Sequence, residues 1–170
     1  RRVLFRSSGG DACGVGDKVN PVRPSLRHRG WMGALCMLIA SPVASATPGV
    51  GNETLARQHY MLQCQGCHRP DGTGTMATAP PMTGMVARFL QVPGGREYVA
   101  RVPGVATAVL SDGELAELLN WTLFRFDAGN VPADFKPYTA EEVGALRRQP
   151  LRLEAKATRA RLLTELDRQR

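Results

Sequence analysis

The sequence predicts a small all-α domain of three to five helices, and three observations carry that prediction. Several runs place apolar residues at three- and four-residue spacing, the period of a helix with one buried face. Two of them open on Ser or Thr followed three residues later by Glu, a capping box. No segment alternates polar and apolar residues in the two-residue period of a strand, and no internal repeat is visible.

The first helix is expected from Asn52, suited to an N-cap, to Gln63. Leu55, Ala56, His59, Tyr60 and Gln63 recur on one face, and Met61 and Leu62 widen it. The chain then runs straight into Cys64-Gln65-Gly66-Cys67-His68. From Arg69 to Met82 the breakers Asp71-Gly72, Gly74 and Pro80-Pro81 impose a loop. A short helix is expected from Met85 to Leu90, ended by Val92-Pro93-Gly94-Gly95, with another turn or two from Arg96 to Arg101. The clearest helix runs from Ser111 to Phe126. Its capping box is Ser111-Asp112-Gly113-Glu114, and its broad apolar face holds Leu115, Leu118, Leu119, Thr122 and Phe126. Asp127 to Pro137 is a Pro/Gly loop. Thr139-Ala140-Glu141-Glu142, a second capping box, opens a short helix to about Arg148. Beyond Pro150, Leu151 to Gln169 reads as a charged amphipathic tail with Leu153, Ala157, Ala160, Leu163 and Leu166 as its stripe. Such a tail is a solvated helix lying loosely on the domain or a helix that docks on a partner.

Cys64-Gln65-Gly66-Cys67-His68 carries the chemistry. Two residues between the cysteines set both thiols along one edge of a porphyrin, where they add to its two vinyl groups. The adjacent imidazole then swings under the iron. The spacing is that of covalent haem c attachment. Three other readings compete. A redox dithiol belongs at a strand-to-helix turn of a βαβ unit, and none is present. A zinc site needs further ligands, but no cysteine follows Cys67 and no histidine follows His68. A plain disulfide ignores the histidine.

A low-spin electron-transfer haem takes a second axial ligand, and a methionine there raises the potential. The methionines after the motif are Met76, Met82 and Met85. Met82 is preferred because Pro80-Pro81 stiffens its approach. Met85, behind Gly84, is the alternative, and Met76 sits in a flexible Gly/Thr loop. Both Met82 and Met85 also suit plain core packing. His59 lies on the helix leading into the motif and is read as a surface or interface residue. Tyr60, Leu62, Phe89, Leu90, Val102, Leu110, Leu118, Trp121 and Phe124 are the apolar candidates around a haem. Arg69, Arg88, Arg96 and Arg101 are candidates to pair with its propionates.

The formal charge of +7 over 170 residues invites a nucleic-acid reading, but its distribution argues against one. Residues 1–46 hold seven Lys/Arg and two acids, leaving 15 basic and 13 acidic residues in 47–170. Arg27-His28-Arg29, the short apolar run Trp31 to Ala40 and Ala44-Ser45-Ala46 form the three parts of a secretory signal peptide, residues 27–46. The apolar run is too short to span a bilayer comfortably, so no stable membrane span is expected after cleavage. Residues 1–26 are rich in Gly, Arg and Ser without periodicity and read as an artefactual or over-extended N-terminus. The expected domain is 47–149, followed by the tail 150–170. The expected compartment is the periplasm.

From Asn52 to Phe126 the chain resembles the class I cytochrome c family of small periplasmic mono-haem electron carriers. Tyr60 stands four residues before Cys64 and Ala56 eight before, matching the aromatic and small residues of that family's first helix. Leu118 and Trp121 match the leucine and aromatic of its last helix, and the four together are implied to form the helix crossing. Cys-His-x-Pro-Asp-Gly-x-Gly, Cys67 to Gly74, is common in bacterial members. One departure is plain: most members take their methionine from well downstream, and here none follows Met85. The segment Pro81 to Gln149 more narrowly resembles a proteobacterial subgroup with similar Phe-Leu-x-x-Pro-x-Gly-Arg, Val-Pro-Gly-Val, Leu-Asn-Trp and Pro-Ala-Asp-Phe-x-Pro-Tyr-Thr-Ala-Glu-Glu-Val stretches. A methionine recurs there at the position of Met82.

The resemblance implies a cytochrome c-like fold around one covalent haem c, bound through Cys64, Cys67 and His68. It implies an electron-transfer protein rather than an enzyme, passing single electrons between a dehydrogenase-type donor and a downstream oxidase or other cytochrome. Two alternatives stand beside it: a haem subunit fixed in a dehydrogenase complex through the tail, and a haem protein whose sixth position is open.

Overall fold

The computed structural model describes residues 46–75 and 79–169. The expected N-terminal stretch 1–26, all of the expected signal peptide except Ala46, and Met76 lie outside the described residues.

Among the described residues the regular secondary structure is helical, with a single isolated antiparallel pair, Thr75 and Ala79, in place of any strand. Seven α-helices follow one another: α1 Glu53–Gln63, α2 Gln65–His68, α3 Gly95–Arg101, α4 Pro103–Ala106, α5 Asp112–Asp127, α6 Ala140–Arg147 and α7 Ala155–Arg168. Two 3-10 turns, Ala87–Gln91 and Ala128–Asn130, precede α3 and follow α5. Only α1, α5, α6 and α7 reach eight residues, within the expected three to five helices. The others are single or double turns. The segment expected as a short helix from Met85 is the 3-10 turn, and α4, which begins on Pro103, has no counterpart among the expected elements.

Local signals set the helix starts. The Asn52 side chain accepts the Leu55 N–H at 3.0 Å and caps α1. Ser111 and Glu114 complete the reciprocal capping box of α5. At α6 only half of the expected box forms. Thr139 Oγ1 accepts the Glu142 N–H, while the Glu142 carboxylate turns away to the Arg96 guanidinium, which it meets at 2.6 and 2.7 Å.

Helix α5 is the axis of the domain, packed by α1 on one side and α6 on another. Ala56, Tyr60, Leu118 and Trp121 are all buried where α1 meets α5. The Tyr60 ring lies 5.5 Å from that of Trp121 and 5.0 Å from that of Phe126. Large side chains buried this fully contribute about 1.5–3 kcal/mol each.

Polar side chains on α5 and α6 tie in the loops. Asn120, fully buried, donates to the Gly49 and Tyr138 carbonyls and accepts the Tyr138 N–H. Arg147 donates to the Ala106, Ala108 and Leu110 carbonyls and to Asp112, clamping the chain between α4 and α5.

Helix α7 packs on the first 3-10 turn and on α3, burying Leu162 and Leu166. Arg159 lies over the Phe89 ring, and the Leu151 N–H bonds the Arg101 carbonyl at 2.9 Å. The stripe read from the sequence is therefore shifted. Leu153 precedes the helix and is 92% exposed, whereas Leu162, outside that stripe, is at 0%. Leu62 likewise points outward at 78% exposure.

Candidate functional site

Helix α1 delivers the cysteine-histidine motif. The Cys64 N–H still bonds the Tyr60 carbonyl as α1 ends, and α2 restarts at once, with the Cys67 and His68 N–H groups on the Cys64 carbonyl at 3.1 and 2.9 Å. Cys64 is the N-cap residue of α2 and Cys67 lies inside it, so the two stand one turn apart. Both thiols are free. Cys64 is half-buried against the core and Cys67 is exposed.

Burial shifts Cys64, His68 and, behind them, Tyr60. It pushes the Cys64 thiol up to about 11, with Cys67 adding to the shift, so the thiol keeps its proton at neutral pH. Burial lowers the His68 pKa, and the Pro80 carbonyl beside the ring opposes that shift. The result favours the neutral imidazole, the form that binds a metal. His68 Nδ1 is buried and makes no hydrogen bond. Burial also raises the Tyr60 phenol to about 12, so its hydroxyl remains a donor. That hydroxyl donates to the Arg69 carbonyl.

After His68 the chain folds back on itself. The Gly74 N–H bonds the His68 carbonyl at 3.1 Å, Thr83 Oγ1 bonds the Asp71 carbonyl at 2.7 Å, and the Met82 N–H bonds the Gly72 carbonyl at 2.8 Å. Gly72, at φ 73°, lies flat on Phe126, and a Cβ there would fall 2.6 Å from the ring. Only glycine allows that approach. The Gly84 N–H bonds the Phe126 carbonyl, and the Asp127 carboxylate accepts the Ala87 N–H at 2.8 Å. The segment from Pro80 to Ala87 is thereby strung between the motif loop and the end of α5.

Met82 and Met85 both sit half-buried against the core on that segment. His59 Nε2 lies 3.8 Å from Glu114, on the α5 side of α1. Two of the four arginines considered for propionates are already engaged. Arg96 is held by Glu142 and the Lys136 carbonyl and stacks at 4.0 Å on the Tyr138 ring, and Arg101 donates to the Gln149 carbonyl. Arg69 is exposed and Arg88 half-buried. The Tyr60 hydroxyl and the Pro80 carbonyl are the site groups the sequence did not single out, since neither contact follows from spacing.

These residues fit a covalent haem. Two free thiols lie one turn apart, the half-buried His68 imidazole stands next to them, and apolar side chains back them. Among the described residues no group of three or more His, Cys, Asp or Glu is placed to hold a metal ion, which leaves a zinc reading without ligands there. No described helix is long and apolar enough to cross a membrane.

No family model matches the chain. A cytochrome c-552 of Thermus thermophilus is 36% identical over 107 residues, covering 52% of this chain and 82% of that protein. A second cytochrome c-552 of the same species is also 36% identical over 107 residues, covering 52% of this chain and 72% of that protein. With that likeness and the helical fold around a Cys-x-x-Cys-His turn, the chain belongs to the class I c-type cytochromes, electron-transfer proteins built on one covalent haem c.

Proposed function

We propose that the protein is a periplasmic one-electron carrier between a dehydrogenase-type donor and a downstream acceptor, with no catalysis of its own. Cys64 and Cys67 are the attachment thiols and His68 is the axial ligand. Bound there, haem supplies a one-electron ferric–ferrous cycle. The protein's part is to hold the ligand, exclude water and set the potential. The observation that carries this reading is the grouping, on α2 and its N-cap residue, of two free thiols and the His68 imidazole. The test is the exported protein's mass and its pyridine haemochrome spectrum. One haem per chain is expected, and it should be lost from Cys64→Ala/Cys67→Ala. A colourless protein with the mass of the bare chain refutes the proposal.

Met82 is the proposed sixth ligand, with Met85 the alternative. The hydrogen bond from its N–H to Gly72 keeps it next to the motif loop. A methionine–iron bond gives a weak far-red absorption band in the ferric form, which Met82→Leu should abolish and Met85→Leu should spare. A second reading, an open sixth position, has one observation in its favour. The Pro80 carbonyl stands against the His68 ring, so the chain two residues before Met82 is tied to the imidazole's side. Rapid, complete carbon monoxide binding to the ferrous form at neutral pH would select that reading.

A further inference from the structure

Arg69, the residue after His68, has φ 62° and ψ 165°. That corner of backbone space is open essentially to glycine alone and costs any other residue about 1–3 kcal/mol. Among the described residues Arg69 is the one non-glycine with positive φ. Its ψ suits the proline that follows, but its φ has no such cause. Strain of this kind persists only where neighbours hold it. The Arg69 side chain is exposed, so the hold is on the backbone. The Tyr60 hydroxyl donates to the Arg69 carbonyl, and the Gly72 N–H reaches the same oxygen at 3.3 Å. Tyr60 has no room to yield: it is 2% exposed and packed against Trp121 and Phe126. Phenylalanine would fill the same space in the helix crossing, so packing alone does not account for the hydroxyl.

We propose that Tyr60 is a positioning residue for the iron ligand, its hydroxyl holding the strained Arg69 peptide and, through it, the orientation of His68. The inference rests on the reading of His68 as the ligand. Groups behind a metal ligand set its orientation and basicity, and with them the properties of the metal. The Arg69 N–H is bonded within α2, to the Gln65 carbonyl at 2.8 Å, and the ties from Gly74, Thr83 and Met82 come from residues after His68. Tyr60 supplies a tie from the helix before it.

The experiment compares the haem-loaded native protein with Tyr60→Phe, Arg69→Gly and the double variant. Readouts are haem content, midpoint potential and the paramagnetic NMR shifts of the haem methyls and the His68 ring. Native protein without haem refutes the proposed function itself, whatever the variants do. With haem in place, Tyr60→Phe should move the oxidised-to-reduced ratio at the native midpoint by about fivefold, what one neutral hydrogen bond is worth in an equilibrium. The His68 ring shifts should move with it. In the Arg69→Gly background, where the backbone needs no holding, the effect of Tyr60→Phe should shrink. If Tyr60→Phe fails to mature, the double variant should restore maturation. An unchanged potential and unchanged ring shifts in Tyr60→Phe would overturn the inference. So would an undiminished effect in the Arg69→Gly background, or a double variant that also fails to mature.

Discussion

Asn120 offers the sharpest test of how the domain is held together. It stands in the middle of α5, fully buried, on a helix whose other buried residues are mostly apolar. Its amide donates to the Gly49 carbonyl at 3.0 Å and the Tyr138 carbonyl at 3.1 Å, and accepts the Tyr138 N–H at 2.8 Å. One side chain thus satisfies three backbone groups from two loops, the lead-in to α1 and the lead-in to α6. Asn120→Ala removes all three bonds, and the Tyr138 groups lie too deep for water to reach without rearrangement. A net loss of about 1 kcal/mol per bond, with about 1–3 kcal/mol for a buried group left unpaired, brings the cost to about 4–6 kcal/mol. That is a large share of a domain's stability of about 5–15 kcal/mol, and corresponds to roughly 10–20 °C in melting temperature. Asn120→Asp separates hydrogen bonding from volume. The carboxylate still accepts the Tyr138 N–H but faces two carbonyls it can no longer satisfy, in a site that disfavours charge. Its folded-state pKa then rises above the unfolded value, so the variant loses stability as pH climbs through that interval and recovers it in acid. Thermal melts of the haem-loaded proteins, followed by far-ultraviolet circular dichroism, measure both. An Asn120→Ala protein melting within about two degrees of native would refute the assignment of Asn120 as the tie between these loops.

Other outcomes follow from the packing. Leu162→Ala should cost about 2–5 kcal/mol within the single main melting transition, because Leu162 is wholly buried; a separate early transition for α7 would contradict this. Arg96→Lys, measured by urea unfolding, should cost about 1–2 kcal/mol. It forfeits the fork to Glu142, the bond to the Lys136 carbonyl and the stack on Tyr138. Burial holds the Tyr138 hydroxyl well above its ordinary value of 10. A folded-state pKa raised in this way contributes stability that is intact below pH 10 and is lost as pH rises above it. Tyr138→Phe should therefore flatten the fall in stability above pH 10, and an unchanged slope would contradict the burial argument. Arg69→Gly should raise the melting temperature, since glycine takes that backbone conformation without strain.

The sequence is most legible where structure is local. The Asn52 cap and the Ser111–Glu114 box form as their spacing predicts, because each needs only partners three residues apart. Legibility fails where a residue is claimed from far away. Glu142 has the right spacing for a capping box, yet Arg96, 46 residues earlier, outcompetes the helix end with two short charge-assisted bonds and an aromatic stack. The face of α7 is obscured for a related reason. Its inner surface includes half-buried Arg159, which lies over Phe89 and hides the apolar period. The apolar period read from the sequence starts instead from Leu153, a residue that precedes the helix. Asn120 gives no signal, since a lone polar residue on an apolar face looks the same whether it bonds a loop or faces solvent.

The site itself shows the same division more sharply. Five residues identify the chemistry, but they do not hold themselves in place. Helix α2 is four residues long and has no side-chain cap, far short of what a helix needs to persist alone. What fixes its geometry is Tyr60 on one side and, on the other, a loop whose ties arrive from Gly74, Met82 and Thr83 and whose turn at Gly72 is seated on Phe126. Phe126 belongs to the last turns of α5, more than fifty residues after the motif. The orientation of His68 is therefore a property of the α1–α5 crossing rather than of the motif. It follows that substitutions at that crossing, distant from any thiol or imidazole, should alter the redox midpoint before they prevent haem attachment. A variant such as Phe126→Leu, scored for both midpoint and haem content, separates the two effects. Loss of haem content at an unchanged midpoint in the surviving fraction would mean that the motif sets its own geometry after all.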